Sequence, residues 1–169
     1  MKFWGITAIC CSISSVGLYF SYYKKMRYHI LVELSEFFSE LSYLCSFLKL
    51  DTVSAIESIK DKNRYQELTF LSLIVKNYSE GADLKTLWYN SIKESREWNF
   101  IEPVTRDMLL SFYRILGNRT LADFTENCTE YCEYFRKSAE KLEKQLSSER
   151  KFFTGMSILT AAAVFIILI

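Results

Sequence analysis

The chain has 169 residues, with 21 basic and 20 acidic side chains, so a net charge of +1 leaves no surplus for holding a polyanion. Half of the residues are hydrophobic, yet the mean hydropathy is only +0.03, which fits apolar blocks flanking a charged one. The basic residues never gather into a phosphate-binding stripe, and nucleic acid is excluded as a partner on that ground.

Residues 3–23 carry no charge over 21 positions and residues 152–169 carry none over 18. At about 1.5 Å rise per residue, each is long enough, or nearly so, for a hydrocarbon layer of about 30 Å. The sequence therefore predicts three segments: a transmembrane helix at 1–23, a soluble domain at 24–151 and a second transmembrane helix at 152–169. A cleaved signal peptide is the rival reading of residues 1–23. Against it, the positive cluster follows the apolar run, which closes on the aromatic belt Tyr19-Phe20-Ser21-Tyr22-Tyr23. Lys24, Lys25 and Arg27 flank the first span, and Lys141, Lys144, Arg150 and Lys151 precede the second, so the positive-inside bias places the middle domain in the cytoplasm.

The middle reads as an antiparallel six-helix bundle, an all-α fold whose last helix is long and continuous with the second span. The first helix, over 24–49, sets Ile30, Leu34, Phe37, Leu41, Leu44 and Leu48 on one apolar stripe and turns Glu33, Glu36 and Glu40 away from it. Asp51 caps a short second helix carrying Val53, Ile56 and Ile59. A third, over 64–79, buries Leu68, Leu71, Ile74, Val75 and Tyr78 and stops at Gly81. Asp83 caps the fourth, where Leu84, Leu87, Trp88, Ile92 and Ser95 share a face. Pro103 opens the fifth, where its missing N–H costs nothing, and Gly117 ends it after Leu116. Thr120 with Asp123 resembles a capping box at the start of the sixth. That helix sends Leu121, Phe124, Cys128, Tyr131, Phe135 and Leu142 along one track, then turns polar, which predicts a stalk protruding from the packed domain toward the bilayer.

Residues suited to catalysis are sparse. His29 is the single histidine and lies beside the first span, so no Ser–His–Asp triad or helical zinc pair can be drawn. The five glycines never approach one another in sequence, and no phosphate cradle follows. Cys128 and Cys132, four apart on one helix, could supply half of a zinc site, but no other ligands are visible. They read better as buried thiols acting as small hydrophobes, and an odd total of five cysteines suits a reducing compartment. The expectation is a protein that is not an enzyme, with no cofactor, no metal and no small-molecule substrate. Its function then rests on surfaces: Lys93, Glu94, Arg96 and Glu97 on the fourth helix, or Glu126, Glu130, Glu133 and Arg136 on the sixth. Two other readings stay open: an enzyme using an acid pair of raised pKa in a pocket, and a membrane-bound helical sensor or regulatory protein working through Cys128 and Cys132.

The stretch LLSFYRILGNRTLADFTENCTEYCEYF (109–135) and the terminal RKFFTGMSILTAAAVFIILI (150–169) resemble the stage III sporulation protein AB family. The likeness extends in outline over the whole chain. Its most specific element is the Leu116-Gly117 helix stop before the long last helix, and Trp88 in the fourth helix fits as well. Thr120 and Phe124 stand where that family has an Asp and a Gln. The resemblance implies a cytoplasmic domain similar to that of the inner-membrane platform protein of type II secretion and type IV pilus systems. It further implies a place in the mother-cell membrane around the forespore, in the channel complex needed for endospore development. The implied partners are a secretion-type ATPase (stage III sporulation protein AA-like) and the other stage III sporulation channel proteins.

Overall fold

The computed structural model describes the backbone of residues 2–79, 82–116 and 120–168, and the side chains of residues 22–79, 82–116 and 120–149. Six helices follow one another: α1 (Lys2–Phe47), α2 (Thr52–Lys60), α3 (Thr69–Asn77), α4 (Leu84–Glu94), α5 (Pro103–Ser111) and α6 (Leu121–Leu168). Short 3₁₀ turns lie at Asn63–Tyr65, Arg96–Asn99 and Phe112–Arg114, and no strand occurs among the described residues. The spans expected at 3–23 and 152–169 fall within α1 and α6 but, apart from Tyr22 and Tyr23, outside the residues whose side chains are described. Among the described residues, no helix is long and apolar enough to cross a membrane.

The frame is an antiparallel pair of long helices. Ser35 Oγ of α1 donates to the Cys132 carbonyl of α6 at 3.1 Å, and the rings of Phe38 and Phe135 stack with centroids 5.5 Å apart. Further along, Lys24 Nζ reaches Glu149 Oε1 at 2.5 Å. As numbers rise on α1 they fall on α6. The pairing continues as far as Glu149, with Leu146 packed against the core, so the protruding stalk expected after Leu142 is not what forms over these turns. The polar residues there do not leave the bundle, because α1 supplies Met26 and Ile30 as apolar partners and Lys24 as a charged one.

The short helices α2–α5 pack on this pair. Ile30, Leu34, Phe37, Leu41 and Leu44 are buried as the spacing requires, but so are Leu31, Phe38 and Cys45. α1 has this wider apolar face because α6 covers one side while α2 and the Asn63–Tyr65 turn cover another. An edge helix needs one stripe, whereas a central helix needs nearly two. Leu48, expected in the stripe, is 55 % exposed because α1 ends at Phe47. Around Phe37, Phe38, Phe70, Trp88, Phe112, Tyr131 and Phe135 the core is a continuous aromatic lattice with ring centroids 4.8–6.3 Å apart. Each such pair adds about 0.5–1.5 kcal/mol to its area burial. Trp88 sits at the centre, fully buried, and its indole N–H donates to the Leu109 carbonyl at 3.1 Å, tying α4 to α5.

Helix ends follow the sequence chemistry in part. Asp51 accepts from the N–H groups of Val53 and Ser54 at 3.1 Å, and Asp83 accepts from those of Lys85 and Thr86. Pro103 occupies the first turn of α5, and Thr120 Oγ1 accepts the Asp123 N–H at 3.3 Å. Differences appear where an end is set by tertiary contacts. The helix expected over 64–79 is instead the Asn63–Tyr65 turn followed by α3, and Tyr78 lies beyond the helix, exposed. The fifth helix gives way to 3₁₀ geometry at Phe112; Leu116 is buried, and Gly117 lies outside the described residues.

Candidate partner-binding surface

Three glutamates of α1, expected to face solvent, form a strap for the segment between α2 and α3. Glu40 accepts from Lys62 and from the Tyr65 hydroxyl, Glu36 pairs with Arg64, and Glu33 Oε2 accepts the Glu67 N–H at 3.0 Å. Burial pushes the Glu40 carboxyl up, but the Lys62 and Tyr65 hydrogen bonds and the Lys62 and Arg64 charges outweigh it and hold it below the ordinary range. Among the described residues Glu33 has no cation paired with it to offset its burial. Desolvation, helped by the charges of Glu67, Glu36 and Glu97, raises it to about 7 although its bond from Glu67 opposes the shift.

Glu97 is the largest departure from the sequence-based expectation. It belongs to the 3₁₀ turn after α4 rather than to α4, and only 1 % of it is exposed, so it is not part of a contact patch. Its Oε1 accepts the Phe70 N–H at 2.8 Å and its Oε2 accepts the Thr69 hydroxyl, while Thr69 Oγ1 accepts the Arg96 N–H at 3.1 Å. Leu68, at the N-cap of α3, offers no side-chain acceptor, and Glu97 supplies one from across the fold. Desolvation raises the Glu97 carboxyl above its usual range against these bonds. Arg96, exposed, pairs with Glu67 and completes a chain of contacts from α1 through α3 to α4. Glu33 and Glu97 are thus two neighbouring carboxyls of raised pKa, but each is occupied by a backbone donor. Of the two clearest hollows in the surface, neither is lined by them.

On α6, Glu130, Glu133 and Arg136 are exposed. Glu133 accepts from Lys137 one turn on at 2.9 Å, an exposed pair worth a few tenths of a kcal/mol. Among the described residues neither Glu130 nor Arg136 has an ion-pair partner. Cys128 faces the core, where burial and the neighbouring Cys45 and Cys132 hold its thiol far above the usual range, and Cys45 is pushed to about 11. Cys132, one turn further along α6, lies beside Ser35. A buried, protonated thiol is a poor nucleophile. No group of three or more His, Cys, Asp or Glu side chains among the described residues is placed to hold a metal ion.

The surface that sequence reasoning missed is the end of the long pair formed by the C-terminus of α1 and the N-terminus of α6. Phe47 is 75 % exposed and its ring stacks on the exposed Tyr43, with centroids 5.2 Å apart. Leu48 and Leu121 are also exposed at this end, where a shallow hollow lined by Ser46, Lys49, Leu121, Ala122 and Thr125 runs between the helices. Lys49 holds φ at 55°, the left-handed conformation, which turns the chain so that the Leu50 N–H reaches the Leu44 carbonyl at 3.3 Å. Large apolar side chains in contact with water around a strained non-glycine residue are features of recognition surfaces. The signal was present in the sequence: Tyr43 and Phe47 are four apart and off the main stripe.

The structure is a helical bundle with an exposed apolar end and a charged outer helix face. The sequence model of the stage III sporulation protein AB family matches residues 2–169, and the chain belongs to that family. It is a sporulation-related protein, and the alternative of a sensor unrelated to sporulation falls with that match. No curated protein and no solved structure gives a match.

Proposed function

We propose that this protein is a non-enzymatic, membrane-anchored platform in the channel complex between mother cell and forespore. Residues 3–23 and 152–169 anchor it in the mother-cell membrane, and the bundle projects into the mother-cell cytoplasm. There it couples a secretion-type ATPase to the membrane-embedded channel subunits. Family membership supplies the sporulation setting. The charge-free runs at the outer ends of α1 and α6, with basic residues on their inner flanks, support the anchors and their orientation. The observation that carries the reading is the exposure of the stacked Tyr43–Phe47 pair, with Leu48 and Leu121, at the opposite end of the same two helices. A pair of continuous helices linking bilayer to docking end is a rigid connection, suited to transmitting position rather than to performing chemistry.

The ATPase contact is assigned to this end, with Glu126, Glu130, Glu133 and Arg136 of α6 as a polar margin and Arg96 as a more distant one. The test is recovery of the ATPase with full-length protein from sporulating cells, comparing wild type with Phe47→Glu. The substitution leaves the fold intact, because Phe47 lies outside the core, and is expected to lower ATPase recovery at least about tenfold, as removal of an aromatic anchor does. Equal recovery with both proteins removes the assignment of the contact; no recovery with either removes the ATPase as partner.

A further inference from the structure

Trp98, Asn99, Phe100 and Val104 lie between α4 and the first turn of α5, next to the place where α1 leaves its charge-free run. The Tyr23 hydroxyl donates to the Asn99 carbonyl at 2.8 Å, and the Tyr23 and Phe100 rings sit with centroids 5.3 Å apart. One turn further along α1, Arg27 pairs with Glu102 at 2.5 Å. Tyr23 is the last residue of the 3–23 run. If that run crosses the bilayer, its final ring is fixed at the level of the headgroups, a layer about 5–8 Å deep on each side of the hydrocarbon. A ring packed on Tyr23 shares that layer.

We propose that this turn is a third membrane contact of the chain, a ledge that rests in the phospholipid headgroup region beside the first span. The proposal rests on the anchored reading given above. The composition fits the place. Arg106 lies over the Trp98 ring at 4.8 Å, pairing an aromatic body with a cation, and Lys25 is exposed nearby on α1. Aromatic rings and basic side chains are the residues that settle at membrane–water boundaries. Val104, 68 % exposed, covers nothing within the protein and faces out from the first turn of α5. The ledge braces the long pair against tilting, since a helix held only by its own span is free to lean. Phe47 then stands roughly 36 Å from Tyr23 at 1.5 Å per residue, which sets how far from the bilayer the docking end meets its partner.

The test uses full-length protein in vesicles whose lipids carry bromine either close to the headgroup or near the acyl-chain ends, with tryptophan fluorescence as the readout. Wild type, Trp4→Phe, and Trp4→Phe combined with Val104→Trp are compared; Trp88, sealed in the core, and Trp98, in the ledge itself, remain in every variant, and their signal is subtracted by comparing the last two proteins under the same lipid. The emission added by the Val104→Trp change is expected to fall by about half with bromine near the headgroups and to change little with bromine near the chain ends. If bromine at either depth leaves that emission unchanged while Trp4 in the wild type is quenched, the ledge is refuted and the span stands. If Trp4 is not quenched either, the anchored reading fails and the ledge falls with it.

Discussion

Replacing Glu97 with Ala tests whether a residue that reads as surface charge is a structural cap. The substitution strips the Phe70 N–H of its only assigned acceptor and leaves the Thr69 hydroxyl without the carboxylate it donates to. A buried donor left unsatisfied costs about 1–3 kcal/mol, and a hydrogen bond to a charged acceptor contributes about 1.5–3 kcal/mol. Part of this is returned, because burying the carboxyl is itself unfavourable, as its upward-shifted pKa indicates. The net loss is about 3 kcal/mol, which for a chain of this length lowers Tm by about 6–12 °C. Glu97→Gln, which keeps one acceptor, costs about 1 kcal/mol, and the double change of Glu97→Ala with Thr69→Val couples by about 1–2 kcal/mol. The assay is thermal and urea unfolding of full-length protein in one mild detergent, with Glu130→Ala as an exposed reference expected within about 0.5 kcal/mol of wild type. A loss for Glu97→Ala no larger than that of the reference refutes the cap.

Glu33 gives a pH signature. Its folded pKa of about 7 lies above the ordinary 4.5, so its contribution to stability is fully present below pH 4.5 and is lost as pH rises through 7. Glu33→Gln keeps an acceptor for the Glu67 N–H and cannot ionise. It should match wild type near pH 4.5 and exceed it by about 1–2 kcal/mol at pH 8, a figure reduced from the full shift because the carboxyl is partly solvated. A constant difference across that range in urea titrations contradicts the assignment. Lys49→Gly relieves a left-handed strain of about 1–2 kcal/mol and adds about 0.5–1 kcal/mol of unfolded-chain entropy, so a gain of roughly 0.5 kcal/mol is expected in the same unfolding assay. Trp88→Phe removes the bond to the Leu109 carbonyl and half of the central ring contact; calorimetry should show a loss of about 2–4 kcal/mol.

Periodicity and capping chemistry made most of the bundle legible. Asp51, Asp83 and Pro103 act within a few residues of themselves, so their roles could be read locally, and Ile30 to Leu44 carry the helical spacing that buries them. What could not be read depends on residues far apart in sequence. Glu97 looks like any charged residue after a helix until Phe70, 27 positions earlier, presents an N–H to it. Glu33, Glu36 and Glu40 have the spacing of a solvated face, and only the path of the chain after α2 turns them into a strap. Leu48 has the spacing of core; its exposure follows from where α1 stops, which Lys49 decides by adopting a conformation that its residue type disfavours. The polar turns near Glu149 suggested an isolated stalk because the sequence of α6 does not reveal that α1 runs alongside.

The proposed function requires that a cytoplasmic partner dock at the exposed end of the α1–α6 pair. A photo-crosslinking amino acid placed at position 47 of the full-length protein, irradiated in sporulating cells, reads that contact directly. An adduct with a secretion-type ATPase is expected at position 47, and none from position 76, on the exposed side of α3. Adducts with the ATPase from position 76 but not from position 47, or no protein adduct at position 47 at all, contradict it.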